Sequence, residues 1–186
     1  MVRSIFSSDH HEMAQILSKI SVATQDRDRM RVDLGKLKRK MLLHFFREET
    51  FVFPSSGEVV QHAMILGLLT EHAGMIRMID KILSYLESGD IERAADRLAG
   101  LNRLLLVHCE REEREIYSGL EESGTILAIE EKARMKRLPK DWKCVNNLLE
   151  FISAKPVLFL LYAYNCTSGR HKQSRQDDWN REKEAP

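Results

Sequence analysis

Apolar side chains recur at intervals of three and four residues along the first 120 positions, which is the period of one face of an α-helix. Polar or turn-forming stretches interrupt this pattern three times, at 25–28, 51–57 and 88–90. The pattern predicts four helices, the first from about 7–9, the second ending near 50, the third over 58–87 and the fourth over 91–120. Because the connections at one end are short, we expect an all-α protein built on an up-down four-helix bundle.

Two local signals set the expected ends of the first two helices. Asp9 and Glu12 have the spacing of a capping box, which predicts that the first helix starts at about this point. Pro54 and Gly57 predict that the second helix stops before Phe51.

Each predicted helix carries an apolar stripe that is interrupted by a histidine, or by a histidine and a glutamate four residues apart. A spacing of four residues places both side chains on the same face, one turn apart. The stripes are His10, Met13, Leu17 and Ile20; Met30, Leu34, Leu37, Met41, His44 and Glu48; Ile65, Leu68, His72, Met75, Ile79, Leu83 and Leu86; and Ile91, Ala94, Leu98, Leu101, Leu105, His108 and Glu112.

The four histidines are expected at one level of the bundle. Counted from the connecting turns at a rise of about 1.5 Å per residue, all four lie roughly 23 to 29 Å from the same end. An unpaired buried carboxylate costs on the order of several kcal/mol, and a metal ion removes that cost. Four imidazoles and two carboxylates inside a bundle therefore indicate a dinuclear site for a first-row metal. Two bridging glutamates and two histidines per metal would leave positions open for a small ligand.

Four segments of the chain resemble the signature segments of the hemerythrin-like HHE cation-binding proteins, and the resemblance covers about residues 8–118. They are Asp9-His10-His11-Glu12, His44-Phe-Phe-Arg-Glu48-Glu49 followed by Phe53-Pro54, Glu71-His72, and His108-Cys-Glu-Arg-Glu112-Glu113.

The resemblance implies a pair of non-haem iron ions, with manganese as the nearest chemical alternative. It makes His10, His44, His72 and His108 terminal ligands and Glu48 and Glu112 bridging ligands. Oxygen-carrying hemerythrins have a further histidine one turn after the ligand of the third helix, where this chain has Ile76. The ligand set is therefore closer to the iron-sensing and nitrosative-stress branches of the family.

Other polar residues near these positions allow weaker predictions. His11 lies off the apolar face, so we expect it to be exposed or to lie beside the ligands without binding metal. His62 fits a stripe but lies about 15 Å along the helix from His72, so we assign it to a different layer or to an overhang above the site. Glu49, Glu71 and Glu113 flank ligands and either orient them or are surface carboxylates. Cys109 is expected to be a small buried side chain rather than a redox thiol.

Composition narrows the function further. With 29 basic and 28 acidic residues the net charge is +1. The sequence has no dominant basic surface, so it does not support binding to nucleic acid. Three widely spaced cysteines do not form a disulfide framework. The start of the chain has no apolar run, and the longest apolar stretch, 157–164, is too short to span a bilayer. We therefore expect a cytoplasmic protein with no membrane insertion.

The last third of the chain allows fewer predictions. We divide the chain into a bundle at 1–120 and an extension at 121–186, with a helix over 126–138, another from Pro139 to Pro156, and a disordered tail from Thr167. The apolar stretch 157–164 either covers the bundle or contacts a protein partner or a second copy.

Three classes of function stay open at this stage. The first is a protein that binds or senses dioxygen, nitric oxide or iron. The second is a stress-response enzyme that reduces nitric oxide or peroxide, or delivers iron for iron–sulfur cluster repair. The third is an iron store or a structural bundle. The intact ligand set disfavours a bundle that has lost its metal, and the absence of an added redox motif and of an obvious substrate pocket disfavours an enzyme.

Overall fold

The computed structural model describes residues 4–22, 26–56, 62–134, 137–140 and 142, except the side chains of 21, 22 and 62. All of them belong to one compact unit, Met1–Asn146. Within these ranges the regular structure is helical, as predicted. The helices are α1 (Ile5–Val22), α2 (Arg27–Arg47), α3 (Phe53–Ser55), α4 (His62–Glu87), α5 (Ile91–Glu112), α6 (Ser118–Glu122) and α7 (Ile126–Ala133), with π-helical turns at Glu48–Val52 and Glu113–Tyr117.

The four long helices form the predicted bundle. Helix α1 packs on α2 and α5, and α4 packs on α2 and α5, so the four helices close a ring around one core. The predicted stripes line this core, with two exceptions: Ile91 is 37% exposed and Leu83 is only partly buried. Ile91 is the first residue of its helix and lies at the end of the bundle, where fewer neighbours can cover it. On α4 the neighbouring Ile82 is buried, whereas Leu83 is only partly buried.

The first helix starts earlier than its capping-box spacing predicts. It begins at Ile5, and Ser4 Oγ accepts a hydrogen bond from the Ser7 amide at 3.1 Å. Asp9 therefore lies inside the helix, where the buried Arg47 and the partly exposed Lys40, both on α2, contact its carboxylate. Two aspartates do cap other helices, since Asp26 accepts from the Arg29 amide and Asp90 from the Arg93 amide.

The predicted end of the second helix is wrong. The chain stays helical past Phe51, first as the π-helical turn Glu48–Val52 and then as α3, with Pro54 in the first turn of α3. Proline lacks an amide hydrogen, and its loss is harmless in the first turn of a helix. An equivalent π-helical turn follows α5. In both turns the closing amide bonds to the carbonyl five residues earlier, so each turn holds one more residue than an α-turn.

Helix α7 covers one end of the bundle. Ile126, Ile129 and Ala133 are buried, and Glu130 accepts a hydrogen bond from the Ile5 amide at 2.8 Å. The segments 143–156, 157–164 and 167–186 lie outside the described residues, so the predictions made for them and the boundary at residue 120 stay predictions. In the ranges that the structure describes, no helix is both long and apolar enough to cross a membrane.

Candidate metal centre

The structure brings the six predicted site residues together at one level of the bundle. Ligand atoms within 4.8 Å of one another form two groups that share both glutamates. Five of the six residues are fully buried, and the sixth, His10, is 5% exposed. The groups are His10, His44, Glu48 and Glu112, and His72, His108, Glu48 and Glu112.

The histidines meet in two pairs through their Nε2 atoms. In the first hairpin, α1 and α2, the Nε2 atoms of His10 and His44 lie 2.9 Å apart. In the second hairpin, α4 and α5, those of His72 and His108 lie 3.2 Å apart. All four Nε2 atoms therefore face the interior of the site.

A carboxylate contacts the outer nitrogen, Nδ1, of every one of these histidines. A carboxylate that accepts the Nδ1 hydrogen leaves the lone pair of the neutral ring on Nε2. This holds for His10, His72 and His108, whereas His44 Nδ1 has an ion-pair contact without an aligned hydrogen bond in the described residues. The contacts are His10–Glu113 at 3.0 Å, His44–Asp9 at 3.4 Å, His72–Glu49 at 3.2 Å and His108–Glu71 at 2.8 Å.

This arrangement fits a pair of metal ions. Two Nε2 lone pairs repel each other, so either a proton on one ring or a metal ion must separate each pair. Three buried carboxylate oxygens, Glu48 Oε2 and both of Glu112, lie 3.1–3.6 Å from Nε2 atoms without an aligned hydrogen bond in the described part of the chain. Imidazole nitrogens with carboxylate oxygens are a donor set for first-row divalent metals.

The distribution of charge around the site also fits bound cations. Six carboxylates contact the four histidines, and within the described ranges the basic side chains paired with those carboxylates are Lys40, Arg47 and Arg111. With neutral histidines, the two shared carboxylates, Glu48 and Glu112, face no lysine or arginine among the described residues, and divalent cations would offset their charge. The six are Asp9, Glu48, Glu49, Glu71, Glu112 and Glu113.

Protons replace the cations when no metal is bound. Burial opposes a charge on His10, but its contacts with Cys109, Glu112 and Glu113 outweigh burial and raise the pKa of His10 to about 12. Burial likewise opposes ionisation of Glu112, yet the charge on His108 holds the pKa of Glu112 well below its usual value. The site is therefore organised to hold positive charge among ionised carboxylates.

A comparison of the sequence with protein families agrees with this geometry. The family described as hemerythrin HHE cation-binding domain matches residues 1–120, about two thirds of the chain. The chain belongs to this family. No curated protein and no solved structure matches it significantly.

An approximate two-fold relation links the two hairpins of this hemerythrin HHE domain. Both helices that carry a histidine–glutamate pair share the sequence His-x-x-Arg-Glu-Glu, at 44–49 and 108–113, and both continue into a π-helical turn. The outer contacts repeat as well. The residue before the first histidine of each hairpin, Asp9 or Glu71, contacts the second histidine and the arginine of the repeated motif.

Two pairs of side chains break this relation. Phe45 stacks on His72 with ring centroids 3.8 Å apart, whereas its counterpart Cys109 interacts with His10. Phe53 stacks on His72 and its counterpart Tyr117 stacks on His10, each at 5.7 Å between ring centroids. The surroundings of His72 are therefore aromatic, and those of His10 are more polar.

Tyr117 also reaches across to the opposite hairpin. Its hydroxyl donates a short hydrogen bond to Oε1 of Glu48, and the residue is 3% exposed. Burial, followed by the charge of Glu48, raises the pKa of Tyr117 well above its usual value, so the phenol keeps its proton.

A cleft between α1 and α5 leads from solvent to His10. Its volume is about 400 Å³, which admits small molecules. It is lined by Ser7, His10, His11, Ala14, Asn102, Leu105, Leu106, Cys109 and Glu113.

The flanking residues are placed partly as the sequence predicts. Glu49, Glu71 and Glu113 contact histidines, and His11 is exposed and bonds to Gln15 at 3.0 Å. Cys109 is partly buried, and the side chain of His62 lies outside the described residues.

Sequence reasoning missed Asp9 and Tyr117. The capping-box spacing predicts a helix cap at Asp9, although this residue stands before a histidine as Glu71 does. Tyr117 follows Glu112 by five residues, as Phe53 follows Glu48, and aligning the two repeated motifs would have revealed it.

Proposed function

We propose that the protein binds two iron ions between its two hairpins and uses them to bind or sense a small diatomic ligand, dioxygen or nitric oxide, or the supply of iron. His10 and His44 would bind one ion and His72 and His108 the other, with Glu48 and Glu112 shared between them. The observation that carries the proposal is the pair of Nε2–Nε2 contacts at 2.9 and 3.2 Å, each with carboxylates on both sides. Iron is favoured over zinc because mixed imidazole and carboxylate sites in helix bundles suit di-iron and di-manganese centres.

The surroundings of the site support a small ligand rather than a large substrate. Five of the six residues are fully buried, and the cleft beside His10 holds about 400 Å³. When bound, ferrous ions would supply a redox-active Lewis acid with affinity for dioxygen or nitric oxide. The protein itself orients the imidazoles through the outer carboxylates and excludes bulk water.

Metal content is the first test. Protein produced with ample iron should carry close to two iron atoms per chain by elemental analysis. A reproducible single metal, or zinc alone in the presence of iron, would contradict the dinuclear proposal. Two manganese ions per chain would support the dinuclear site but would show that its metal is manganese rather than iron.

Ligand binding is the second test. The optical spectrum of the anaerobic ferrous protein should change on exposure to dioxygen or nitric oxide, without continuing consumption of reductant. Sustained turnover of nitric oxide or peroxide with a reductant would instead establish the stress-response enzyme. A ferrous protein whose spectrum responds to neither gas would leave iron sensing as the function.

A further inference from the structure

The two shared glutamates differ in how many of their oxygens face the histidines. Glu112 directs Oε1 to His108 Nε2 at 3.1 Å and Oε2 to His10 Nε2 at 3.3 Å. Glu48 makes the two equivalent contacts with one oxygen, since Oε2 lies 3.4 Å from His44 Nε2 and 3.3 Å from His72 Nε2. One carboxylate thus spans the site with both oxygens and the other with a single oxygen.

The hydroxyl of Tyr117 lies at the other oxygen of Glu48. It donates to Glu48 Oε1, and both groups are buried, so water does not compete for either. Phe53 occupies the equivalent place beside the other hairpin and is buried too, but its ring has no hydroxyl to donate to Glu112. Both oxygens of Glu112 are accordingly without an aligned hydrogen bond in the described structure, compared with one oxygen of Glu48.

We propose that Tyr117 is a positioning residue that reserves one oxygen of Glu48, so that Glu48 binds metal through Oε2 alone while Glu112 binds through both oxygens. This inference rests on the proposed function, because it assumes that the six residues hold two divalent ions. It adds that the two carboxylate ligands are chemically unequal. It also assigns that inequality to one hydroxyl, on Tyr117, that its counterpart Phe53 lacks.

Infrared spectroscopy distinguishes the two binding modes. A carboxylate that binds metal through one oxygen has a wider separation between its asymmetric and symmetric stretching bands than one that binds through both. Zn²⁺ is a redox-inert probe that accepts the same donors. Difference spectra of Zn²⁺-loaded minus metal-free full-length protein, with ¹³C-labelled glutamate to assign the bands, should show one wide pair and one narrow pair.

The repeated motif offers two reciprocal variants. Tyr117→Phe removes the hydroxyl and should narrow the wide pair until both glutamates resemble each other, with two Zn²⁺ ions still bound. Phe53→Tyr introduces a hydroxyl beside Glu112 and should widen the narrow pair. Circular dichroism checks that each variant folds, and if Phe53→Tyr does not, Tyr117→Phe decides the question alone.

The outcomes separate this inference from the proposed function. Two bound Zn²⁺ ions with identical glutamate bands in the wild type, or bands that Tyr117→Phe leaves unchanged, overturn the role of Tyr117 and leave the dinuclear site intact. A folded wild-type protein that binds neither Zn²⁺ nor iron overturns both.

Discussion

Each histidine of the site is held between two kinds of carboxylate. An outer carboxylate contacts Nδ1, as a hydrogen-bond acceptor at His10, His72 and His108, and a shared glutamate faces Nε2. The outer carboxylates stand directly beside a ligand in sequence, but each contacts a histidine on a different helix. Asp9 lies beside His10 in sequence but contacts His44.

We expect Asp9→Asn to destabilise the metal-free protein by about 2–4 kcal/mol, because it leaves the buried Arg47 beside a neutral amide. Arg47 Nη1 lies 2.8 Å from Asp9, and Lys40 Nζ lies 2.6 Å from it. Chemical denaturation of both proteins measures the loss.

Glu12→Gln is the matched control for this variant. Glu12 contacts the same Lys40 at 2.6 Å but is 54% exposed, so its loss should cost less than about 1 kcal/mol. Equal losses for the two variants would show that the burial of Asp9 has no part in the effect.

The ligand roles have a direct test at the same scale. His108→Ala and Glu112→Ala should each lose most of one or both metals, because each removes a donor from the buried site. His11→Ala should retain both metals, because His11 is exposed and bonds to Gln15. Elemental analysis after gel filtration gives the stoichiometry, and metal loss in His11→Ala would mean that the site extends beyond the six residues.

Among the elements, the π-helical turns have the clearest link to the site. One begins at the shared Glu48 and the other directly after the shared Glu112. Each ends at or next to the aromatic residue that stacks on a histidine of the other hairpin, Phe53 or Tyr117. One extra residue per turn lets the helix carry both the glutamate and this aromatic ring toward the site.

Single-residue deletions test whether the additional residue of a π-helical turn can be removed without rotating the rest of the helix. Deleting the exposed Arg114 should let the turn Glu113–Tyr117 close as an α-turn, with Leu120 still facing the core and both metals retained. Deleting the exposed Arg103 from regular α5 should rotate all later residues by about 100° and remove His108 from the site. Thermal unfolding and metal content report both outcomes, and equal loss of metal in the two deletions would contradict the π-turn argument.

At the scale of the whole molecule, the apolar stripes and the polar site are separable. The core below the site, from Met30 to Met41 and from Ala94 to Leu105, is buried and needs no metal. The site end holds the two shared, buried carboxylates, Glu48 and Glu112, whose charge the proposed metal ions would offset. Metal binding should therefore be coupled to the stability of one end of the bundle.

Removal of metal should lower the melting temperature by roughly 5 °C or more, since a few kcal/mol correspond to several degrees in a domain of this size. Hydrogen exchange should accelerate at residues 8–14, 42–52, 66–74 and 106–116, with the remaining helices protected. A uniform change along the chain, or an unchanged melting temperature, would contradict the coupling.

The parts of the molecule that follow helical periodicity could be predicted from sequence, and those set by contacts between helices could not. The spacing from Met30 to Glu48 predicts a buried stripe, and counting from the turns places the four histidines at one level. The π-helical turn at Glu48–Val52 was missed because a proline after an apolar run reads as a stop signal. The role of Asp9 was missed because its partners lie on α2, more than 30 residues away in sequence.

Because the two hairpins are related by an approximate two-fold, the two halves of the site can be compared with the halves of a symmetric dimer. One hairpin supplies two histidines and one glutamate, so a symmetric dimer of a single hairpin would already provide the full set of six. In such a dimer every mutation appears twice, and a tyrosine opposite one glutamate requires a tyrosine opposite the other. A chain that encodes both hairpins is free of that constraint, and it carries tyrosine at 117 and phenylalanine at 53. Covalent linkage of the two halves thus permits the two halves of the proposed metal site to differ in their properties.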